Sequence, residues 1–328
     1  MSAALSVGCT SSTPTSAPPG TPSLNLRTAE VSVAGLPGTL VLPTGRRPAP
    51  VVVLVGGSGA GDRDETVGPN KLFRDLAVGL ADLGIASVRY DKRTGVDGGK
   101  TARLATFTPT QEYVPDAVAA IKLVRARPDI DRRRVFVLGH SQGGTFAPRI
   151  AAKQPAVAGV VLLAASAAPF GATLARQMRY LANLDGAQSV RERSIIAEAR
   201  GWATLVDDPD LALDTPRARL PARLGARYWR DLARYNAVAT ARDLPQPLLV
   251  LQGARDYQVT VDDDLSRWKQ GLKGRPKVTF RVFPRANHLL LDGSGTPNPQ
   301  EYERRGRVGE DVIAAISEWI RAQEPRRG

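Results

Sequence analysis

The sequence predicts an α/β fold in which a mostly parallel central sheet carries helices on both faces. Short continuous apolar runs indicate strands that are covered on both faces. Stretches with apolar residues at helical spacing lie between those runs, and this alternation favours a parallel sheet. The chain has 328 residues, of which 42% are hydrophobic, which is enough for one large domain with an insertion.

The elements follow in chain order. Residues 31–33 alternate in polarity and residues 38–42 follow a turn at Pro37 and Gly38, which predicts a hairpin. The buried strands expected from apolar runs are residues 51–55, 85–90, 135–138, 160–163, 248–251 and 278–283. The core helices expected from leucine, valine and isoleucine spacing are residues 72–83, 114–124, 144–153 and 312–320.

About 80 residues between the strands at 160–163 and 248–251 have no strand pattern. Helical spacing appears instead over residues 172–184, 190–205 and 224–237. This is too long for a plain connection, so residues 168–240 are predicted to form a helical cap. Residues 24–167 and 241–328 then form the core.

Residues 1–23 differ in composition from the rest. The stretch 11–23 is almost wholly Ser, Thr, Pro and Gly, which predicts a disordered tail. Cys9 follows an apolar and small-residue stretch that resembles the end of a bacterial lipoprotein signal. We therefore expect a membrane tether through Cys9 and a place in the bacterial cell envelope. The alternatives are a free cysteine at an irregular terminus and a cytoplasmic protein.

Charge and cysteine content exclude several classes of protein. The net charge is +13, but the basic residues are scattered and aromatic residues make up only 5%, so we expect no nucleic-acid partner. One cysteine excludes a disulfide framework, and one cysteine with two histidines excludes a zinc site of Cys/His clusters. We expect neither a metal nor a cofactor. The oligomeric state is left open.

The stretch from Gly139 to Gly143 has the pattern G-x-S-x-G and stands between a predicted strand and a predicted helix. In that context the pattern predicts a strained turn that presents Ser141 at the N-terminus of the helix, as a nucleophile. His140 is confined to the turn, so His288 is the candidate general base.

Asp256 follows the strand at 248–251 and is the candidate acid that orients His288. Asp262, Asp263 and Asp264 are rivals, but they are predicted to form the first turn of the next helix. The amide of Gln142 and an amide of the glycine-rich loop 56–64 after the first buried strand are predicted to form an oxyanion hole. Gly57 in that loop is a candidate substrate contact.

These motifs resemble those of the α/β-hydrolase superfamily, with the order Ser141, Asp256, His288. The stretches 57–65 and 90–93 further resemble a bacterial carboxylesterase branch, described as dienelactone-hydrolase-like or serine-aminopeptidase-like. Relatives commonly begin the first loop with histidine, where this chain has Gly56. The resemblance implies that Ser58 and Gln142 supply the two amides of the oxyanion hole. Asp62, Arg63, Asp91 and Arg93 are interpreted as structural ion pairs that brace these loops, with a role in substrate binding as the alternative.

The predicted function is hydrolysis of small-molecule carboxylic esters, with short acyl chains, through an acyl-enzyme on Ser141. The alternatives are a thioesterase, a peptidase or an acyltransferase with the same residues, or a non-catalytic binding protein that kept the fold. Aromatic residues are concentrated in the predicted cap, and Met178 and Trp229 are the candidate substrate contacts there.

Overall fold

Eight strands form one sheet in the computed structural model, which describes residues 26–45 and 48–323. The strands are β1 (Leu26–Val33), β2 (Leu36–Pro43), β3 (Ala49–Val55), β4 (Ala86–Tyr90), β5 (Ile130–His140), β6 (Gly159–Leu163), β7 (Leu248–Gly253) and β8 (Val278–Phe283). Their order across the sheet is β1-β2-β4-β3-β5-β6-β7-β8. β2 alone runs in the direction opposite to the other seven strands, so the predicted mostly parallel sheet is confirmed.

Helices cover both faces of this sheet. They are α1 (Leu72–Asp82), α2 (Arg93–Val96), α3 (Pro109–Arg125), α4 (Gln142–Lys153), α5 (Phe170–Leu181), α6 (Val190–Val206), α7 (Ala226–Arg234), α8 (Ala237–Asp243), α9 (Ser266–Gly271) and α10 (Glu310–Ala322). Helices α1 and α10 pack on one face, and α3, α4, α8 and α9 pack on the other.

The central strands are apolar at every position because both of their faces are covered. In β3, Val51 and Val53 contribute to the core under α3 and α4, while Val52 and Leu54 contribute to the core under α1 and α10. All four side chains are at most 1% exposed. The carboxyl ends of the parallel strands therefore meet at one edge of a rigid, dry sheet.

The hairpin of β1 and β2 is confirmed, but its predicted turn at Pro37 and Gly38 is wrong. The turn is made by Ala34 and Gly35, whose φ angles are +50° and +83°. Two consecutive positive φ angles match the twist of a tight hairpin. Gly38 instead lies within β2, where an added Cβ would stand 3.0 Å from the carbonyl oxygen of Arg89 on β4.

The predicted helical stretch between β6 and β7 contains α5, α6 and α7, which we call the inserted helices. The stretch expected as one helix over residues 224–237 is two helices, α7 and α8. The break occurs because Asn236 caps α8, its side chain accepting a hydrogen bond from the amide of Ala239 at 2.9 Å. Helix α8 packs against α4 and so belongs to the core.

The predictions about the tail, including Cys9, concern residues outside the described ranges. Within residues 26–45 and 48–323, no helix combines the length and the apolar composition that crossing a bilayer requires.

Candidate active site

Ser141 alone connects β5 to α4, since β5 ends at His140 and α4 begins at Gln142. Its backbone has φ +53° and ψ −123°, a strained conformation for a residue with a side chain. The amide of Ser141 donates a hydrogen bond to the carbonyl of Leu163 in β6 at 2.9 Å. The turn is thus tied to the neighbouring strand, and Ser141 borders a cavity at the carboxyl edge of the sheet.

The glycines of the G-x-S-x-G pattern are required by close backbone approach. A Cβ on Gly139 would stand 2.2 Å from the carbonyl oxygen of Gly143. A Cβ on Gly143 would stand 2.3 Å from the carbonyl oxygen of Val55 in β3. Neither position has room for a side chain, so this strand-turn-helix geometry depends on both glycines.

His288 and Asp256 lie beside Ser141, as their places after β8 and β7 predict. The Nε2 atom of His288 is 3.1 Å from the Oγ of Ser141, and its Nδ1 is 2.7 Å from the Oδ2 of Asp256. The side chains of His288 and Asp256 are 7% and 0% exposed. The structure therefore joins the three sequence-predicted residues in one hydrogen-bonded chain.

The carboxylate of Asp256 has its remaining acceptor positions filled. Its Oδ1 accepts hydrogen bonds from the amides of Gln258 and Val259 at 2.8 and 2.9 Å. Its Oδ2 accepts a third from the Nε2 of Gln252, a buried side chain of β7, at 3.0 Å. These donors fix the carboxylate plane and leave Oδ2 facing His288.

Asp264 lies in the helical turn Val261–Leu265 that directly precedes α9, as predicted, but it has a second role there. It is 0% exposed, and its Oδ1 accepts hydrogen bonds from Ser166 Oγ and the amides of Ala167 and Ala168 at 2.8 to 3.1 Å. Its Oδ2 pairs with Arg176 of α5 at 2.6 Å. Asp264 thus anchors the chain where it enters the inserted helices, a role that its position in an acidic run did not indicate.

Ser58 and Gln142 line the same cavity as Ser141. Gln142 is the first residue of α4, and an amide at that position has no partner within its helix. The amide of Ser58 makes no hydrogen bond to any described residue. Gly57 brings this loop close, since a Cβ on it would stand 3.1 Å from the Cβ of Ser141.

Three polar side chains that the sequence analysis did not assign hold Gly57. Its amide donates to Glu65 Oε1 at 2.6 Å, and its carbonyl accepts from Lys92 Nζ at 2.7 Å and from Tyr113 Oη at 2.9 Å. Lys92 belongs to the stretch 90–93 that carries the family resemblance. That stretch was the available signal, but nothing in the sequence indicates that a lysine after a strand points inward.

The expected ion pairs beside the loop form in part. Arg63 pairs with Asp91 at 3.2 Å and also with Glu30 at 2.6 Å, and Arg93 pairs with the buried Asp116. Asp62 pairs with no cation among the described residues. Its carboxylate accepts hydrogen bonds from the amide and hydroxyl of Thr66 instead, which closes the turn of the loop.

The cavity beside Ser141 has a volume of about 460 Å³. Helix α5 contributes Leu174 and Gln177 to its wall, and α7 contributes Leu232. Met178 and Trp229, the predicted contacts, do not line it. Met178 is turned about 100° around the helix from Gln177. Trp229 is 2% exposed and packs against the rings of Phe170 and Tyr228, with centroid distances of 5.1 and 5.2 Å.

Among the described residues, no group of three or more His, Cys, Asp or Glu side chains is arranged to hold a metal ion.

Comparison with known proteins places these residues in a family. The family model described as serine aminopeptidase, S33, matches residues 69–293, a range that contains Ser141, Asp256 and His288. Esterase EstD of Thermotoga maritima is 39% identical over 291 residues, which are 89% of this chain and 66% of that esterase. The chain therefore spans slightly less than two thirds of that relative.

Solved structures share the fold at low sequence identity. The esterase Pf2001 of Pyrococcus furiosus superposes with a TM-score of 0.56 at 17% identity, covering 94% of this chain and 98% of that one. Est1E of Butyrivibrio proteoclasticus, in a structure with ferulic acid bound, gives 0.55 at 15% identity and covers 90% and 98%. The expected α/β-hydrolase fold is confirmed.

Proposed function

Because this chain belongs to the serine aminopeptidase S33 family of α/β-hydrolases, we propose that it is a serine esterase that acts through an acyl-enzyme on Ser141. The observation that carries this proposal is the hydrogen-bonded chain from Ser141 Oγ through His288 to Asp256. A serine hydroxyl is a weak nucleophile by itself, and a neighbouring base that is oriented by a carboxylate activates it.

In the first half of the proposed reaction, Ser141 Oγ attacks the ester carbonyl carbon while His288 Nε2 takes the hydroxyl proton. The carbonyl π electrons move to the oxygen, which becomes an oxyanion held by the amides of Ser58 and Gln142. When the oxyanion collapses, the bond to the alcohol oxygen breaks and His288 returns the proton to that oxygen. The alcohol leaves, and the acyl group remains on Ser141.

In the second half, a water molecule replaces the alcohol. His288 takes a proton from the water, the hydroxide attacks the acyl carbon, and the same two amides hold the second oxyanion. Collapse releases the carboxylic acid, and His288 returns its proton to Ser141 Oγ. Asp256 acts as a carboxylate throughout: it accepts the hydrogen bond from the Nδ1–H of His288 and stabilises the imidazolium.

The cavity supports substrates with short acyl chains. Its aliphatic wall residues, Leu174, Leu232 and Val259, are interrupted by Thr145 and Gln177. A long acyl chain needs a continuous apolar wall, because each polar group that it covers loses its hydrogen bonds to water. We therefore assign small esters as the substrate class, and long-chain lipids are disfavoured.

Cleavage of amides is the second candidate function, because the matching family is described as an aminopeptidase. The same residues can cleave thioesters or transfer the acyl group to an alcohol. EstD, the curated relative, is named an esterase, and this favours esters. A direct comparison of substrates separates the four.

The experiment combines labelling with a substrate panel. Wild-type protein is treated with a fluorophosphonate and assayed with p-nitrophenyl esters from acetate to octanoate, acyl-thioesters and aminoacyl anilides. We expect labelling and fastest turnover of the acetate or butyrate ester. Ser141→Ala should lose both, while Ser32→Ala, an exposed serine on β1, should keep both. Absence of labelling in the wild type would favour a binding protein that kept the fold.

We also propose the membrane tether through Cys9, on the sequence argument alone. The test is recovery of the natural gene product in the membrane fraction, with Cys9→Ser as the comparison. Recovery of both proteins in the cytosol would contradict the tether.

A further inference from the structure

The peptide between Gly57 and Ser58 has its two polar ends in different surroundings. Its carbonyl oxygen lies in the interior, where Lys92 and Tyr113 donate to it. In a trans peptide the carbonyl and the N–H point in opposite directions within one rigid plane. Donors that hold the Gly57 carbonyl inside therefore turn the Ser58 N–H outward, toward the cavity that Ser141 borders.

Lys92 can donate to the Gly57 carbonyl without giving up another hydrogen bond. An ammonium has three N–H groups, and Lys92 Nζ has three acceptors: Gly57 O at 2.7 Å, Glu112 Oε1 at 2.7 Å and Tyr113 Oη at 3.0 Å. Tyr113 has one hydroxyl hydrogen for two acceptors, Gly57 O and the side-chain oxygen of Gln142. Tyr113 can therefore serve only one of them at a time.

The placement of Lys92 is costly in free energy. The side chains of Lys92 and Glu112 are 9% and 6% exposed, and removing two charges from water offsets most of their mutual attraction. The stability of the fold therefore does not by itself explain why Lys92 and Glu112 are buried together. The other oxygen of Glu112 accepts a hydrogen bond from Tyr228 of α7 at 2.8 Å, so the pair is also fixed from the side of the inserted helices.

We propose that Lys92 is a positioning residue for the reaction: it directs and polarises the Gly57–Ser58 peptide so that the Ser58 amide stabilises the oxyanion. A positive charge on the carbonyl end draws electron density from the amide nitrogen and makes its N–H a stronger donor. This inference rests on the proposed esterase function and adds to it the origin of one half of the oxyanion hole.

The test compares Lys92→Met with Lys71→Met in the full chain. Lys71 pairs with Asp64 beside the same loop and does not touch Gly57, so it controls for loss of a nearby ion pair. Rates are divided by the number of sites that a fluorophosphonate titrates, which removes misfolded protein from the comparison. For Lys92→Met we expect kcat to fall about tenfold to thirtyfold, less than the ~10²–10³-fold loss of an oxyanion donor itself. KM should change less than about twofold, because the bound ester carries no oxyanion until Ser141 attacks it.

A trifluoromethyl ketone supplies a readout that a merely structural role would not move. Its tetrahedral adduct with Ser141 carries the same oxyanion, so its inhibition constant should rise by the factor by which kcat/KM falls. Lys71→Met should leave both values unchanged. Tyr113→Phe, which keeps the ammonium, should lose less of kcat than Lys92→Met.

Two results would overturn the inference. One is a Lys92→Met enzyme whose per-site kcat and ketone affinity equal those of the wild type while Ser141→Ala is inactive, which leaves the esterase function standing. The other is a loss confined to KM. If Lys92→Met is insoluble, Lys92→Gln decides in its place: it removes the positive charge and keeps a polar side chain, and an unchanged kcat rejects the proposal. A wild type that neither labels nor hydrolyses esters rejects both proposals together.

Discussion

The Nε2 atom of His140 lies 2.9 Å from the backbone carbonyl oxygen of His288, so the histidine next to Ser141 holds the loop that carries the proposed base. The other ring nitrogen of His140 lies 2.8 Å from Glu65 Oε1. A carbonyl and a carboxylate both accept hydrogen bonds, so both contacts form together only when each ring nitrogen carries a hydrogen. Beside a Glu65 carboxylate, this arrangement favours the imidazolium form of His140.

The first prediction concerns pH. Burial by itself would lower the pKa of His140, but the charge and hydrogen bond of Glu65 outweigh it and raise the pKa above the ordinary 6.5. Because the pKa of His140 is higher in the folded protein than in the unfolded chain, protonation of His140 stabilises the fold. This contribution is fully present below pH 6.5 and is lost as the pH rises through the pKa of the folded state. Urea unfolding of wild type and His140→Gln should thus give a larger stability difference at pH 6 than at pH 9. A difference independent of pH would contradict the imidazolium.

The second prediction identifies the acid. Asp256→Asn should lower kcat by about 10²–10⁴-fold, since an amide favours the wrong tautomer of His288. The loss should be smaller than for Ser141→Ala. Asp263→Asn, at an exposed position on the neighbouring turn, should leave kcat within about twofold of wild type. A more damaging Asp263→Asn would make the assignment of Asp256 wrong.

The third prediction concerns the anchor of the inserted helices. Asp264→Asn should cost about 2–4 kcal/mol of unfolding free energy, because it removes the charge that pairs with Arg176 and replaces one acceptor oxygen by an NH2 group that faces Arg176 and the amide of Thr260. Asp263→Asn removes only the half-exposed partner of Arg176 and should cost less than about 1 kcal/mol. Thermal or urea unfolding measures both, and equal costs would refute the anchoring role.

The fourth prediction concerns acyl-chain preference. Leu174→Trp fills the cavity wall and should lower kcat/KM for butyrate relative to acetate by about tenfold, the effect of one or two excluded methylenes. Met178→Ala should leave that ratio unchanged. Trp229→Ala should instead destabilise the fold by about 3–5 kcal/mol, as loss of a buried indole does. A changed ratio in Met178→Ala would place the acyl group elsewhere.

The fifth prediction concerns strain at the nucleophile. Glycine tolerates a positive φ, so Ser141→Gly should be more stable than Ser141→Ala by about 1 kcal/mol. Ser266, with φ −62° and ψ −39°, is the matched control: there glycine should be less stable than alanine by about 0.5–1 kcal/mol. The same sign at both positions would show that the turn is unstrained.

Elements set by periodicity could be predicted from the sequence. The buried strands and α1, α4 and α10 lie within a few residues of their expected places, because their apolar spacing is dictated by a covered sheet. Ser141, Asp256 and His288 each follow a strand, and parallel strands end at one edge, so their proximity also followed from order along the chain.

What could not be predicted depends on tertiary contact. Nothing in the chain around Lys92 or Glu65 indicates that their charges point inward, since the partners that make burial tolerable are distant in sequence. Likewise Met178 and Leu174 are both apolar residues of one helix, and which of them faces the cavity is decided by how α5 packs. Asp264 looked like a helix-dipole residue because its partners, 166–168, lie about 100 residues away.

The chain that carries the inserted helices is fixed to the core at both ends, by Asp264 at the entry and by the packing of α8 on α4 at the exit. The segment can therefore be exchanged as one unit when these attachments are kept. The strands β5, β7 and β8, which position the reacting groups, lie outside it. Such an exchange has to respect the hydrogen bond from Tyr228 to Glu112 and the ion pair between Asp231 of α7 and Arg149 of α4. Chimeras that transplant the segment from a relative and keep a hydroxyl facing Glu112 are therefore the natural route to new substrate ranges on this scaffold.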